Sequence, residues 1–273
     1  MSSSWPAPQA PPPGSSATFA VWSSAWLAGS AAADDVLDAL TPWAEAHDVV
    51  AADEATAAAT DLPAPGSPVS SPTFLLAALR RGPRGAGRLV LPAPGDVRGL
   101  PGPGAFSRAA LTAGEGVLYP EAGLGVVPSP IADGVLRWTV HTVPAPVPPA
   151  EYVPLAEAER ELRSQVRESA SILTDLGVAR HRPGVREEIA AALRARPVAH
   201  WPAGMPGRAL RVLQQADEVE AILVAASADE PGGALSASAA TARREALRPL
   251  DSAVRVARRA AVAEAVRTYA PTP

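Results

Sequence analysis

Residues 135–149 read Val135-Leu-Arg-Trp-Thr-Val-His-Thr-Val-Pro-Ala-Pro-Val-Pro-Pro149. The first part alternates, with Leu136, Trp138 and Val140 on one side and polar residues on the other. A period of two is typical of an antiparallel strand with one half-exposed face. The proline-rich run that follows, 144–149, predicts a semi-rigid polyproline-type connector. This stretch therefore separates two parts of the chain with different character.

Before the connector, the predicted strands and helices are short and are separated by proline and glycine residues. Apolar runs there predict strands at 49–51, 88–92, 116–119 and 125–127. Phe19, Trp22 and Trp26 recur at helical spacing and predict a helix. We expect a disordered tail at 1–16 and then an α+β domain at 17–146, with a small mixed sheet covered by helices.

The part after the connector is rich in alanine, leucine, arginine and glutamate at helical spacing. The apolar stripes predict helices that contain Leu155, Val185, Ala209 and Leu247. Pro249 predicts a kink or a fresh start in the last of these, because proline lacks an amide donor. Short connections favour antiparallel neighbours, so we expect residues 147–273 to form an antiparallel array of about four α-helices.

The composition excludes several classes of active site. The 273 residues contain no cysteine and no asparagine, and all 24 basic Lys+Arg positions are arginine. Without cysteine there is no disulfide framework, thiolate zinc site or cysteine nucleophile. Without lysine there is no Walker-type phosphate loop, Schiff base or protein-kinase centre.

The lack of cysteine and of a targeting signal predicts a cytoplasmic protein. A formal net charge of -4 gives no general attraction to nucleic acid or anionic lipid, so nucleic-acid binding is disfavoured. The start has no basic region before an apolar run, and the run at 17–28 is too short to span a bilayer. We therefore expect no targeting signal and no membrane partner. The oligomeric state stays open.

No catalytic set is assembled in the sequence. The histidines are scattered without metal-ligand spacing, at His47, His141, His181 and His200. We assign no catalytic residue, no metal site and no cofactor, and an ordinary hydrogen-bonded imidazole is the simplest interpretation of each. His141 is better placed than the others, because it shares a strand face with Arg137.

A glycine-rich loop at 91–108 is the candidate ligand site. It leaves a predicted buried strand and enters a predicted helix near Ala105, where backbone amides can receive an anion. Structural turn chemistry is the alternative, because Pro101 and Pro103 remove two of those amides. The candidate ligand-binding residues are Asp96, Arg98, Gly99, Gly102, Gly104, Arg108, Arg137 and His141.

The last predicted helix carries an excess of arginine. It could bind a nucleic-acid backbone or an acidic partner, or it could be the solvated face of an amphipathic helix. The residues of this possible anionic-partner surface are Arg244, Arg248, Arg255, Arg258 and Arg259.

Three segments carry a resemblance to other proteins. They are Leu89-Val-Leu-Pro-Ala-Pro-Gly-Asp96, Gly99-Leu-Pro-Gly-Pro-Gly104 and Arg244-Glu-Ala-Leu-Arg-Pro-Leu250. With this composition the chain resembles an actinobacterial group of conserved hypothetical proteins. The resemblance implies a cytoplasmic setting in a high-GC bacterium, and it brings no catalytic residue, cofactor or partner.

Three functional hypotheses follow. The leading one is an interaction or regulatory protein that binds a protein partner through a helical docking surface. The second is an enzyme or sensor that binds a phosphate or carboxylate at the 96–108 loop; whether the protein is an enzyme stays open, with the balance against it. The third is nucleic-acid binding by the arginine-rich helix.

Overall fold

A five-stranded mixed sheet organises the first half of the chain. The computed structural model describes residues 11–175, 185–228 and 237–270. Within these ranges only the backbone is described at 172–175, 185–186, 188–189, 225–228 and 237–244. The strands are β1 (Ala46–Ala51), β2 (Arg88–Val90), β3 (Gly116–Tyr119), β4 (Leu124–Ala132) and β5 (Val135–Thr142). Their spatial order is β1-β5-β4-β3-β2.

Strand β5 is interior to the sheet. It runs parallel to β1, with Val49 opposite Trp138, and antiparallel to β4, with Val126 opposite Val140. The remaining neighbours, β4 with β3 and β3 with β2, are antiparallel. The predicted mixed sheet and the α+β class are confirmed. On its second face His141 is buried, while Arg137 and Thr139 are half-buried, so this face is less exposed than the alternation pattern predicts.

Five helices accompany these strands in the described residues from 11 to 151. They are α1 (Ser15–Leu27), α2 (Ala33–Leu40), α3 (Glu54–Thr60), α4 (Pro72–Arg81) and α5 (Ala105–Ala113). Local chemistry explains two of their starts. The Asp53 carboxylate accepts a 2.7 Å hydrogen bond from the Thr56 amide at α3. Pro72 occupies the first turn of α4, where its missing amide costs nothing.

Helix α1 covers one face of the sheet. The ring of Phe19 lies 5.1 Å from that of Trp138 and 6.3 Å from that of Tyr119. The Tyr119 hydroxyl is 2.6 Å from Ser23 Oγ, which satisfies two buried polar groups. The helix is buried on most sides, from Ser15 to Ala25, and this explains why its polar residues are all small.

Helix α5 covers the opposite face. Trp138 and His141 are three residues apart on β5 and so point to opposite faces, and Phe106 of α5 packs against His141. The Phe106 ring also occupies the space above Gly125, where a Cβ atom would lie 2.3 Å from Phe106 Cδ2. Glycine at 125 therefore lets the α5 aromatic ring approach the sheet.

Four helices lie in the described residues of the second half. They are α6 (Leu155–Asp175), α7 (Val185–Ala195), α8 (Gly207–Ala228) and α9 (Ala237–Tyr269). The predicted stripes are buried at Leu155 and Leu162 on α6 and at Ala209 on α8. Helix α9 continues through Pro249, so the fresh start predicted there is not observed.

The chain forms two compact units. The first runs to Glu151 and also includes Val198–Met205 and the chain from Ala265, and the second comprises Tyr152–Pro197 and Pro206–Glu264. The sequence predicts one boundary, at 146/147, whereas two later stretches belong to the first unit. Among the described helices, none is long and apolar enough to cross a membrane.

The predicted tail and the start of α1 overlap. Residues 1–10 of the predicted tail lie outside the described residues. The helix begins at Ser15, however, and Ser15 and Ser16 are fully buried. Their burial depends on an acid from elsewhere in the chain, Glu115, which local sequence does not reveal.

Candidate functional site

The predicted ligand loop forms a tight turn whose two charges bind each other. Asp96 and Arg98 make a two-point ion pair, with Nε to Oδ1 at 2.8 Å and Nη2 to Oδ2 at 2.7 Å. Hydrogen bonding to Asp96 raises the pKa of Arg98. Gly99 and Gly102 adopt φ angles of 88° and 114°, which favour glycine. The Gly102 carbonyl accepts a 2.5 Å hydrogen bond from Ser107 Oγ.

The end of the loop leads into α5 without a side-chain cap. Gly104 is the residue before the helix, and no side chain there accepts a hydrogen bond from the first amides. Arg108 lies on the exposed side of α5. An exposed arginine, Arg108, therefore lies close to the uncapped backbone amides at the start of α5. The charges of Asp96 and Arg98, in contrast, pair with each other.

Arg137 and His141 lie at different ends of β5. Four residues separate them, which corresponds to about 13 Å along a strand. Arg137 donates a 3.0 Å hydrogen bond to Asp48 on β1, as expected from their opposite positions in the parallel register. The geometry therefore does not bring Arg137 and His141 to one point of the sheet.

His141 has an unusual environment for an imidazole. His141 is 6% exposed, and its ring centre lies 6.1 Å from that of Phe106. Neither ring nitrogen has a hydrogen-bond partner among the described residues. Burial lowers the pKa of His141, and the Asp53 carboxylate partly opposes this effect. The neutral ring is therefore favoured. A buried imidazole without a partner is the kind of group that an ordered water satisfies.

The arginine-rich helix uses part of its charge inside the second unit. The guanidinium of Arg258 donates to Glu220 at 2.6 and 2.8 Å and also to Asp217. Arg255 pairs with Asp251 one turn earlier on the same helix. Arg258 is only 7% exposed. Its charge is therefore matched within the protein at this position.

The other predicted residues of this surface are placed differently. Arg248 is exposed and Arg259 is half-buried, whereas the side chain of Arg244 lies outside the described residues. The exposed cation at Arg248 fits the solvated-face alternative as well as a partner surface.

Sequence reasoning missed the partners of Arg258. Arg196, directly after α7, also pairs with Glu220, and its Nη1 donates a 2.7 Å hydrogen bond to the Asp217 carbonyl. Burial alone would raise the pKa of Glu220, but the hydrogen bond and charge of Arg258, together with Arg196, lower it overall. No local spacing links the two arginines to these acids, because Arg196 follows α7, Arg258 lies on α9, and Asp217 and Glu220 lie on α8.

A second buried polar cluster was also missed. The Glu115 carboxylate accepts a 2.6 Å hydrogen bond from Ser15 Oγ and a 3.0 Å bond from the Ser16 amide. It therefore caps the start of α1 from about 100 residues away in sequence. Burial raises the pKa of Glu115, although these hydrogen bonds oppose the effect. An acid between two glycines, Gly114 and Gly116, was the signal available in the sequence.

Among the described residues, no group of three or more His, Asp and Glu side chains could hold a metal ion. Asp96 pairs with Arg98 and Arg137 pairs with Asp48, whereas the His141 ring packs against Phe106, which lies between the predicted residues Gly104 and Arg108.

Comparison with other sequences identifies the family. Residues 16–152 match the N-terminal domain of Rv1486c-like proteins, and residues 156–259 match the C-terminal domain of the same proteins. The chain belongs to the Rv1486c-like family. The two matched regions meet between residues 152 and 156, close to the proline-rich run at 144–149.

Rv1486c-like relatives occur in mycobacteria. The chain is 38% identical over 279 residues to the uncharacterized protein Rv1486c of Mycobacterium tuberculosis, and the match covers 90% of this chain and 95% of the relative. It is 34% identical over 291 residues to the uncharacterized protein ML1804 of Mycobacterium leprae, with the same coverage. No solved structure matches the chain. These relatives confirm the resemblance to an actinobacterial group.

Proposed function

We propose that this Rv1486c-like protein acts by binding another protein. Phe74, near the start of α4, carries the proposal. The chain has three phenylalanines, of which Phe19 and Phe106 are 0% and 2% exposed, while Phe74 is 54% exposed. Aromatic side chains are enriched in protein interfaces, where burial of their large apolar area supplies much of the binding energy.

The neighbourhood of Phe74 supports this choice. Val69, five residues earlier, is 44% exposed. Between them Ser70 forms a backbone bridge to Val49 of β1, with hydrogen bonds of 2.8 and 3.1 Å in the two directions. This bridge anchors the segment that carries both apolar residues. We call Val69 and Phe74 the Phe74 surface. An apolar surface that is held in place loses little conformational entropy on binding.

Helix α8 offers a second apolar position, which corresponds to the helical docking surface predicted from the sequence. Ile222 is 46% exposed. Arg211, Gln214 and Glu218 precede it at helical spacing and are also exposed. One exposed apolar residue beside a row of polar residues is typical of a small protein interface with a polar rim. We propose this stripe as a subsidiary surface.

The alternatives have less support. A phosphate or carboxylate at the 96–108 loop would compete with Asp96 for Arg98. A nucleic-acid backbone would find Arg258 buried and paired. Protein binding at the Phe74 surface does not require Arg98 or Arg258 to leave its internal partner. It is therefore the function that we propose.

A site-specific photocrosslinker tests the proposal. Benzoylphenylalanine is placed at Phe74 and, as a matched control, at Thr112, which is exposed on α5 of the same unit. In a mycobacterial host we expect a discrete adduct with one protein at position 74 and none at position 112. Substitution Val69→Asp in the position-74 protein should lower the adduct yield about tenfold, because a charge there disfavours apolar burial.

Two outcomes would contradict the proposal. One is the absence of any discrete adduct at position 74. The other is an adduct pattern that is the same at positions 74 and 112, since random collision does not distinguish the two surfaces. A crosslinker at Ile222 tests the subsidiary surface separately.

A further inference from the structure

A pocket opens in the first unit at the end of α1. It has a volume of about 210 Å³. Its walls come from Leu27 at the end of α1 and Ala28 directly after it, from residues 84–86 before β2, and from Val266 and Ala270 near the end of α9. These segments all belong to the first compact unit.

The size and lining of this pocket suit a small apolar group. An apolar cavity of about 150 Å³ is large enough to bind benzene. The walls at Leu27, Ala28, Val266 and Ala270 are apolar. The Ser24 hydroxyl also lies at the pocket, but it donates to the Ala20 carbonyl and accepts from the Gly87 amide. It has little capacity left for a ligand, so the body of a ligand would be apolar.

Arg84 supplies a cation at the same pocket. The Arg84 side chain is exposed, and Arg84 is not part of any ion pair found between described residues. A nearby acid, Glu121, lies against the Gly85 Cα, because a Cβ at Gly85 would be 2.0 Å from Glu121 Oε2. Arg88 interacts electrostatically with that carboxylate. The three charges sum to one positive charge, which favours an anion at Arg84.

We propose that the Arg84 pocket binds a small amphipathic anion. Its apolar part would lie between Leu27, Val266 and Ala270, and its acidic group would pair with the Arg84 guanidinium. A mostly apolar pocket with one or two placed polar groups is the usual form of a small-molecule site. This inference goes beyond the proposed protein binding and does not depend on it, because the pocket and the Phe74 surface share no residue.

Octanoate and octan-1-ol distinguish anion recognition from apolar burial. The dissociation constants of both are measured by titration of the full chain, followed in ¹H–¹⁵N spectra. We expect wild-type protein to bind octanoate more tightly than octanol. Arg84→Gln should weaken octanoate binding about tenfold, the size of one charge-assisted hydrogen bond, and change octanol binding less than twofold.

Two kinds of variant complete the test. Arg81→Gln removes an exposed arginine of the same unit that pairs with Asp61 and does not line the pocket, so it should change neither dissociation constant. Ala28→Trp and Ala270→Trp each place a large ring in the pocket from an exposed position, so each should abolish binding of both compounds. Two such variants are used in case one does not fold, which circular dichroism will show.

Three binding results would contradict the proposed anion site. Absence of octanoate binding to wild-type protein at about 5 mM, where even weak ligands of millimolar affinity bind, would remove the proposal. Equal octanoate affinity in wild type and Arg84→Gln would show that Arg84 does not bind the carboxylate group. Unchanged binding in a folded tryptophan variant would show that the ligand binds outside this pocket. Either result overturns the inference.

Discussion

The indole Nε1 of Trp138 donates a hydrogen bond to Nδ1 of His47 across 3.1 Å. The other ring nitrogen of His47 lies 2.9 Å from the Leu40 carbonyl oxygen. Because an indole can only donate, Nδ1 must accept, and Nε2 carries the proton that it donates to Leu40. His47 therefore joins β1, β5 and the end of α2 as a neutral ring.

The first prediction is that His47 makes the protein less stable in mild acid. Burial lowers the pKa of His47 below its ordinary value of 6.5, against opposition from the Leu40 bond and the Asp48 charge. The unfolded chain then binds the proton first, so the free energy of unfolding falls as pH drops below 6.5. In urea titrations between pH 5 and 7.5, His47→Gln should show a smaller fall than wild type.

Exposed His200 provides the control for that experiment. His200→Gln is measured under the same conditions as the matched histidine-to-glutamine substitution. An identical slope in wild type and His47→Gln would show that the Trp138–His47 bond does not link folding to protonation.

The second prediction concerns Glu115, whose pKa shift has the opposite sign. Burial raises the pKa of the folded carboxyl above its ordinary value of 4.5. Over the interval from 4.5 up to the raised value, the folded state binds more protons, so the Glu115 contribution to stability falls as pH rises. The difference in unfolding free energy between wild type and Glu115→Gln should therefore decrease from pH 4.5 upward. A difference that increases over this interval would mean that the helix-capping bonds dominate burial.

The third prediction tests the contact between α5 and the sheet. Gly125→Ala would place a methyl group 2.3 Å from Phe106 Cδ2, and overpacking of this kind costs about 1–3 kcal/mol. Urea unfolding should show this loss. Gly104→Ser is the matched glycine control, since nothing lies within 4 Å of a Cβ there and serine is a favourable residue before a helix. In the Phe106→Leu background the cost of Gly125→Ala should shrink, and an unchanged cost would contradict the contact.

The fourth prediction compares two arginines on α9. Arg258→Ala leaves Glu220 and Asp217 without their partner and should destabilise the protein by about 3 kcal/mol, as expected when one member of a buried ion pair is removed. Exposed Arg248→Ala should change stability by less than about 0.5 kcal/mol. Thermal and urea unfolding of the two variants measure the difference. Equal effects would show that Arg258 acts as an ordinary surface cation.

The sequence predicted the elements better than it predicted the site. The strand containing Trp138, the mixed sheet and the helices of the second half follow from periodicity, because each pattern is local and repeats within a few residues. The continuation of α9 through Pro249 does not follow from local rules. Packing along the rest of a long helix can outweigh the loss of one backbone hydrogen bond.

The candidate site shows where local reasoning stops. Arg137 and His141 share a face by the period of two, as predicted, but that period also places them far apart along the strand. The sequence left both a ligand site and a structural turn open for Asp96 and Arg98, and the structure shows that these two charges pair with each other. Which of two neighbouring charged groups finds an internal partner depends on the turn geometry, which the glycines leave free to vary.

By itself, the sequence determined the α+β class, the change of character at the proline-rich run and the chemistries excluded by missing residue types, because these depend on composition and short-range pattern. Only the tertiary structure decided that Glu115 caps α1, that Arg258 is buried with Glu220, and that the Arg84 pocket is closed by residues near the end of the chain. Those contacts join positions from 38 to more than 180 residues apart. Their energies depend on distance and burial, which are fixed only when the whole chain has folded.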